Sequence, residues 1–137
     1  MKFEELTKDM LIDSEQCLDA FTGGMGIVIR SVEDTCAVVD MKVSEKHENP
    51  IGSVHGGALF TLADIAGGMV ATADGTKATT LDSNIRFVKA AFVGKTEYVR
   101  ATATLKKAGK KIRVVEVEIT DDKDDLLCIA TFGFFAI

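Results

Sequence analysis

The sequence predicts an α+β domain in which a six-stranded antiparallel sheet wraps around one central helix, with a further helix at the N-terminus. One segment is apolar almost all round, which is typical of a helix enclosed by protein. Six other segments have the composition of strands, and short turns join the last three. A curved sheet is the economical cover for such a helix. With 137 residues, 47 % hydrophobic and 27 % charged, the chain suits one globular domain over residues 1–137.

The elements are predicted in the order helix, two strands, helix, four strands. Apolar residues recur at a spacing close to 3.6 from Phe3 to Phe21, which indicates an amphipathic helix that ends at Gly23-Gly24. A polar, irregular loop occupies 44–56, and the apolar central helix occupies 57–73. The strands are predicted at residues 26–32, 35–43, 79–88, 97–107, 111–120 and 126–137.

Two of these strands carry further expectations. In 79–88, simple alternation places Leu81 and Ser83 on one face, with Thr80 and Asp82 on the other. The final strand, 126–137, is apolar on both faces. We therefore expect it inside the sheet, with its outer side covered by the N-terminal helix or by another subunit.

The cysteines indicate the compartment. Cys17, Cys36 and Cys128 form no C-x-x-C pair, which argues against a disulfide framework and against a cysteine-based zinc site. The N-terminus has acidic residues within its first few positions and no apolar stretch typical of a signal peptide. We therefore expect a cytoplasmic protein.

Hydropathy and charge limit the partners. Segment 54–73 contains four glycines and a carboxylate in its middle, and a central Asp costs about 2.5–3.5 kcal/mol in a bilayer, so we expect no membrane span. The net charge of −5 disfavours nonspecific nucleic-acid binding. Residues 86–113 nevertheless hold nine Lys or Arg and one acid. That stretch suits a small polyanion such as a nucleotide-bearing cofactor, or it forms the solvated faces of a hairpin.

Reactive groups concentrate around the start of the central helix. Gly56 and Gly57 open that helix, where backbone N–H groups are free and no side chain blocks a ligand. Either N–H can polarise a carbonyl as an oxyanion hole, or the glycines serve only close packing. Asp64 is the only charge in the apolar helix, and a buried carboxylate is costly unless it is paired or functional. The alternative is a structural carboxylate that caps a neighbouring loop.

Other common catalytic arrangements are missing from the sequence. His47 and His55 are the only histidines, and there is no G-x-S-x-G, H-E-x-x-H, Walker loop or G-x-G-x-x-G motif. A Ser-His-Asp hydrolase and a metal site are therefore disfavoured. We expect neither a metal nor a cofactor.

The motif Asn49…Gly52…His55-Gly56-Gly57, followed by Leu62-Ala63-Asp64, resembles that of the hotdog-fold acyl-CoA thioesterases of the PaaI (phenylacetate-pathway) type. The stretch Thr80 to Val88 is similar to that family's third strand, and the resemblance spans nearly the whole chain. It implies a hotdog fold and hydrolysis of an acyl-CoA to the free acid and coenzyme A. It also implies a homo-oligomer, either a dimer or a tetramer, with sites between subunits. The acyl group, for example aryl-acetyl or medium-chain, is left open.

The resemblance also implies catalytic roles. Asp64 would be the general base or the nucleophile that attacks the thioester carbonyl. The Gly56 N–H would bind the thioester oxygen, and Asn49 would orient the thioester or the water. His55 would support the loop near the sulfur, and the Thr80 hydroxyl would help to hold the water.

The substrate-binding residues rest on weaker grounds. Gly57 belongs to the same glycine pair as Gly56. Arg86, Lys89 and the basic hairpin 106–113 match no strict motif, and we expect them to contact the phosphates of coenzyme A.

Helix geometry independently favours a site made by two chains. Asp64 follows Gly56 by eight residues, which separates them by about 12 Å along one helix. One thioester carbonyl cannot lie within about 3 Å of both, so a second chain would supply the missing partner. Gly67-Gly68 would permit that chain to approach closely.

Two other functions stay open. A hotdog hydratase or dehydratase would act on acyl thioesters, and Asn49-Pro50 superficially resembles the hydratase loop. That chemistry, however, pairs a His with a nearby acid, whereas His55 belongs to His-Gly-Gly. A non-catalytic acyl-CoA-binding sensor would keep the cavity and could lose the carboxylate, so Asp64 speaks against it.

Overall fold

The computed structural model describes residues 19–137. The described part begins with a five-residue helix, Ala20–Gly24 (α1), which ends at the predicted glycine pair. Asp19 caps it, because its carboxylate accepts hydrogen bonds from the Thr22 N–H at 3.0 Å and the Thr22 hydroxyl at 2.8 Å. The rest of the predicted N-terminal helix lies outside the described residues.

The remaining elements follow the predicted order, with bounds within two residues of those expected. The central helix is Gly56–Ala71 (α2), and a short 3₁₀ helix, Glu45–His47, interrupts the loop that was expected to be irregular. The strands are Ile27–Val32 (β1), Cys36–Lys42 (β2), Ala78–Phe87 (β3), Tyr98–Ala108 (β4), Ile112–Asp121 (β5) and Leu126–Ala136 (β6).

The six strands form one antiparallel sheet in the order β1-β2-β4-β5-β6-β3. The hairpins β4-β5 and β5-β6 are the consecutive ones predicted. Strand β3 crosses over to pair with β6, so β1 and β3 are the two edges of the sheet. The predicted α+β architecture, a six-stranded antiparallel sheet around a central helix, is confirmed.

The core lies between the inner face of the sheet and one face of α2. Alternating residues of β4 and β5 are fully or almost fully buried, and burying each larger one contributes about 1.5–3 kcal/mol. The helix contributes residues at spacings of three and four, as expected for one packed face. These buried residues are Val99, Ala101, Ala103, Val115, Val117 and Ile119 in the strands, and Ala58, Leu62, Ala66 and Val70 in the helix.

The described residues do not enclose α2 completely, so part of the protein expected to surround this helix lies outside residues 19–137 of one chain. Phe60, Ile65 and Met69 pack against the core but are only partly buried. The final strand shows the same pattern. β6 lies inside the sheet as predicted, yet on its outer side Ile129 is 45 % exposed and Phe135 is 38 % exposed within residues 19–137. Within residues 19–137, one side of α2 and the outer side of β6 therefore both carry accessible apolar surface.

Strand β3 departs from simple alternation because of a bulge. The register slips between Thr80, which pairs with Phe134, and Asp82, which pairs with Gly133. The bulge puts Thr80 on the inner face of the sheet with Ser83, whereas alternation had placed it with Asp82. Asp82 lies on the outer face, over the space that a side chain at Gly133 would fill. A β-bulge therefore turns the Thr80 hydroxyl towards α2.

Within residues 19–137, no helix is both long enough and apolar enough to cross a membrane.

Candidate active site

The loop in front of α2 is held by a buried histidine that the sequence analysis gave no role. His47 is 2 % exposed, its Nε2 lies 2.8 Å from the Met25 carbonyl oxygen, and its Nδ1 accepts from the Ser44 N–H at 3.1 Å. This pairing requires the neutral ring with hydrogen on Nε2. Burial lowers the pKa of His47 below its ordinary value. The His47 carbonyl in turn accepts from the His55 N–H at 2.7 Å, which fixes the residue before the helix.

His55 is the N-cap of α2. Its Nδ1 accepts from the Gly57 N–H at 3.3 Å, and its carbonyl accepts from the N–H groups of Ala58 and Leu59. The Gly56 N–H has no acceptor among residues 19–137. Of the two glycines that could polarise a carbonyl, Gly56 therefore has the open N–H, and Gly57 has its N–H turned to the cap.

A cavity of about 320 Å³ lies at this open N–H. Asn49, Gly56 and Lys89 line it, together with Phe87. A Cβ placed on Gly56 would be 3.5 Å from Cζ of Phe87, so the aromatic ring forms the wall next to the N–H. Phe87 was not predicted to be a site residue, although it lies on the inner face of the sheet at the end of the predicted strand.

Most of the hydrogen-bonding capacity of Asn49 is used to shape its own loop. Its side-chain oxygen accepts from the N–H groups of Ile51 at 3.1 Å and Ser53 at 2.9 Å. Its amide nitrogen donates to the Ser53 hydroxyl at 2.7 Å. An amide nitrogen carries two hydrogens, so one N–H remains for a ligand in the cavity.

Asp64 and Thr80 lie at a different cavity, of about 330 Å³. The Thr80 hydroxyl donates to Oδ1 of Asp64 at 2.6 Å, across from β3 to α2. Thr22 of α1 and its N-cap residue, Asp19, also line this space. The carboxylate expected to be isolated therefore has one hydroxyl partner, and its Oδ2 has no hydrogen-bond donor within residues 19–137.

Within one chain the predicted catalytic residues form two separate groups. Asn49 and Gly56 line the first cavity, Asp64 and Thr80 line the second, and the two cavities share no lining residue. Because α2 is one continuous helix, Asp64 lies about 12 Å along its axis from Gly56. The side chain of His55 is exposed beside the first group.

Lys89 and Arg86 occupy different surroundings. Lys89 lines the Gly56 cavity, but its ammonium group forms an ion pair with Asp125 of the β5–β6 turn. That hydrogen bond raises the pKa of Lys89 and lowers the pKa of Asp125. Arg86 is exposed on β3 and pairs with Ile129, which places it on the outer face of the sheet.

Two sequence-based expectations are corrected by packing within the chain. Arg113, part of the basic hairpin expected to contact phosphates, is buried at the end of α2, where it donates to the Ala71 carbonyl at 3.1 Å and to Asp74 at 2.7 Å. Gly67 was expected to admit another chain. A Cβ there would lie 3.1 Å from the ring of Phe134, so its close neighbour is β6 of the same chain.

Within residues 19–137, no group of three or more His, Cys, Asp or Glu side chains is placed to hold a metal ion. The expectation of a metal-free site stays a prediction.

Comparison with known proteins bears on the chemistry of this site. A family model described as the thioesterase superfamily matches residues 51–128, from the glycine-rich loop to β6. The chain is 33 % identical over 111 residues to the acyl-coenzyme A thioesterase PaaI of Escherichia coli strain K12, covering 81 % of this chain and 78 % of that protein. It is 36 % identical over 109 residues to the 1,4-dihydroxy-2-naphthoyl-CoA hydrolase of Listeria monocytogenes, covering 77 % and 86 %.

Solved structures agree with the sequence relatives. The PaaI protein of the E. coli phenylacetic acid degradation operon matches with a TM-score of 0.84 at 29 % identity, over 93 % of this chain and 91 % of that one. A hypothetical thioesterase from Streptococcus pneumoniae TIGR4, solved with coenzyme A, matches with a TM-score of 0.76 at 32 % identity, over 81 % and 85 %. The resemblance to hotdog thioesterases of the PaaI type is thereby confirmed, and the chain belongs to the thioesterase superfamily.

Proposed function

We propose that the protein is an acyl-CoA thioesterase, a homo-oligomer in which each active site is shared between two chains. One observation carries the proposal. The open N–H of Gly56 and the carboxylate of Asp64 lie at separate cavities, on residues about 12 Å apart along the axis of one helix, in a chain of the thioesterase superfamily. Thioester hydrolysis needs both groups: an N–H that polarises the carbonyl, and a base that activates the water.

In the proposed mechanism, the thioester carbonyl oxygen accepts a hydrogen bond from the Gly56 N–H of one chain. The positive end of the α2 dipole supports the negative charge that develops on that oxygen. Asp64 of the other chain takes a proton from a water molecule, which attacks the carbonyl carbon. The C–S bond then breaks, the acid is released, and the proton passes to the leaving thiolate.

Several contacts support these roles. Thr80 holds Oδ1 of Asp64 at 2.6 Å and leaves Oδ2 for the water. Asn49 lines the cavity of Gly56, and its remaining amide N–H can orient the thioester or the water. His55 keeps the helix start in place by accepting from Gly57. Attack by Asp64 itself on the carbonyl carbon is the alternative first step.

Open apolar surface supports a second chain. Strand β3 is an edge strand with exposed Leu81 and Phe87, followed by exposed Val88. The face of α2 that carries Phe60 and Met69 packs against the core but is only partly buried within residues 19–137. Burying such surface favours association. We propose a dimer, or a tetramer that contains such dimers.

The proposed substrate class follows from the relatives and the location from the cysteines. The E. coli relative is named an acyl-coenzyme A thioesterase and the Listeria relative a CoA thioester hydrolase, while the S. pneumoniae structure holds coenzyme A. We propose an aryl-acetyl or medium-chain acyl-CoA as substrate, with no metal and no cofactor. Cys36 and Cys128 are free, which supports a reducing compartment such as the cytoplasm.

The test is a panel of acyl-CoAs of different length and aromaticity, including α,β-unsaturated ones, followed by two readouts. Thioester hydrolysis releases free thiol, whereas a hydratase changes the absorbance of the enoyl group without releasing thiol. A sensor binds acyl-CoA and does neither. We expect thiol release, and binding or hydration without thiol release across the panel would overturn the proposal.

A further inference from the structure

A third and larger cavity lies on the outer side of the sheet. It has a volume of about 950 Å³, is formed by β1, β2, β4 and the loop before β4, and shares no lining residue with the two cavities of the candidate site. We call it the outer groove. Its charged and polar lining residues include Arg30, Asp40, Lys42, Lys95, Tyr98 and Arg100.

A buried carboxylate organises this groove. Asp40 is 4 % exposed, and it accepts from Nε of Arg30 at 2.9 Å and from Nε and Nη2 of Arg100 at 2.8 and 3.0 Å. The side chains of Arg30 and Arg100 are themselves about half exposed. Burying a carboxylate is costly, and the two guanidinium groups compensate for it. Asp40 thereby fixes both arginines while their remaining N–H groups are free of it.

The backbone is shaped for the same contact. The β1–β2 register slips between Ile29 and Ser31, which makes Arg30 the extra residue of a bulge. A bulge re-aims a side chain, and here Arg30 reaches Asp40 on the neighbouring strand. Arg100 is the direct cross-strand partner of Asp40 on the other side. Two strands thus present their arginines to one central carboxylate.

The charge of the groove is opposite to that of the chain. Its four cations, Arg30, Lys42, Lys95 and Arg100, outnumber the two acids, Asp40 and Glu97, so the net charge is 4 − 2 = +2, against −5 for the whole chain. Neither Lys42 nor Lys95 forms an ion pair within residues 19–137. A dianion would balance the groove.

We propose that the outer groove binds a phosphate-bearing small molecule, with the phosphate between the Arg30–Asp40–Arg100 cluster and the two lysines. Guanidinium groups match the oxygens of a phosphate in pairs, and ammonium groups add point charges around it. The volume lies within the range of small-molecule sites, about 300–1,000 Å³, and leaves room for more than one phosphate. Such a group could belong to a separate phosphorylated ligand or to the coenzyme A part of the proposed substrate.

The test is calorimetric titration of the full chain with inorganic pyrophosphate. The variant is Lys42→Gln with Lys95→Gln, which leaves the buried Asp40 cluster intact. The matched control is Lys77→Gln with Lys123→Gln, which removes two exposed lysines that do not line the groove. We expect saturable binding by the parent and the control, and a Kd raised about tenfold or more in the groove variant.

Three results would overturn the proposal: no saturable binding by the parent, equal binding by the groove variant, or an equal loss in the control. Titration needs no turnover, so its result is independent of whether the protein hydrolyses acyl-CoA. The KM for acyl-CoA of the groove variant then identifies the source of the phosphate. A raised KM assigns the groove to coenzyme A, and an unchanged KM together with lost pyrophosphate binding assigns it to a separate ligand.

Discussion

At the scale of single residues, Asp64 combines properties that packing alone does not require. It is half-buried in a helix whose other residues between Gly56 and Ala71 are uncharged. Its one hydrogen-bond donor within residues 19–137 is a hydroxyl, Thr80, and no cation among those residues forms an ion pair with it. A carboxylate kept in that position without an ion pair is available to take a proton.

Replacing Asp64 with Asn tests this directly. The amide keeps the shape and can still accept from Thr80, but it cannot take a proton at neutral pH. We expect kcat to fall by about 10²–10⁴, the usual contribution of a positioned general base, with thermal unfolding little changed. Thiol release from acyl-CoA is the measurement. Asp82→Asn is the control, because Asp82 lies on the outer face of the same strand as Thr80 and should keep the parental rate. A folded Asp64→Asn with parental turnover would contradict the mechanism.

His47 gives the protein a specific pH dependence of stability. Burial lowers its pKa in the folded chain, so between that value and the ordinary value of about 6.5 the unfolded chain binds more protons. The free energy of unfolding therefore decreases as the pH falls below about 6.5. His47→Gln should be less stable than the parent at neutral pH, by about 1–3 kcal/mol, and this difference should narrow as the pH falls, because the variant lacks this part of the slope.

Urea unfolding midpoints at several pH values between about 7.5 and 5.5 measure the effect. Gly68→Ala supplies the control, since it alters no titratable group and should keep the parental slope. If His47→Gln has the same slope as the parent, the buried ring does not titrate as described.

A metal-free reaction is the third expectation at this scale. The described residues offer no cluster of ligands, and the proposed water is activated by Asp64 alone. Incubation with EDTA followed by desalting should leave thiol release unchanged. Activity that disappears and returns with a divalent ion would show that the protein depends on a metal.

At the scale of elements, α2 packs on β6 through one glycine and not through its neighbour. A Cβ on Gly67 would lie 3.1 Å from two atoms of the Phe134 ring, whereas one on Gly68 would lie 3.7 Å from that ring. An alanine in a helix interior gains about 0.5–1 kcal/mol over glycine, but overpacking a core costs about 1–3 kcal/mol. We expect Gly68→Ala to stabilise the protein slightly.

Gly67→Ala should then be less stable than Gly68→Ala by about 1–3 kcal/mol, because the intrinsic gain is shared and only one variant compresses Phe134. The two variants serve as matched controls for each other in urea unfolding. Equal stabilities would mean that the Phe134 ring moves aside freely.

The elements that alternation defines could be predicted from the sequence, and those that depend on distant pairing could not. Buried Val99 and Ala101, separated by half-buried Arg100, are a local pattern, so β4 was found to within one residue. The bulge that turns Thr80 inwards depends on how β3 pairs with β6, which lies more than 50 residues later in the chain at this point. Its effect on the face of Thr80 could therefore not be predicted.

The residues of the candidate site likewise divide into those that a local sequence pattern predicts and those whose role depends on distant contacts. Gly56 and Asp64 were found because glycines at a helix start and a carboxylate in an apolar helix are unusual within a short stretch of sequence. His47 was missed because its role depends on the Met25 carbonyl, 22 residues earlier in the chain. The burial of Arg113 was missed for a similar reason, since its acceptors lie at the end of α2, about 40 residues away.

At the scale of the whole molecule, residues 19–137 of one chain leave both the site and the surface incomplete. The open N–H of Gly56 and the carboxylate of Asp64 lie at different cavities, and the edge strand β3 and the half-buried face of α2 are apolar. A second chain related by a two-fold axis beside β3 would cover both surfaces in one interface. It would also create two equivalent sites, because each chain would supply Asp64 to one site and Gly56 to the other.

Mixed dimers test this arrangement. Asp64→Ala and Asn49→Ala should each be nearly inactive alone, since each removes one half of every site. In a mixed dimer, one site contains both substitutions. The other site takes Asp64 from the Asn49→Ala chain and Asn49 from the Asp64→Ala chain, so it contains neither substitution. Random mixing makes half of the dimers mixed, and half of their sites are intact, so activity should return to about a quarter of the parental value. Thiol release after co-refolding equal amounts is the measurement.

The matched control pairs Asp64→Ala with Thr80→Ala, which lie on the same half of the site. Every site in a mixed dimer then contains one of the two substitutions, so activity should stay at the average of the two variants. A site contained within one chain would give no recovery in either mixture, because every chain carries a defect.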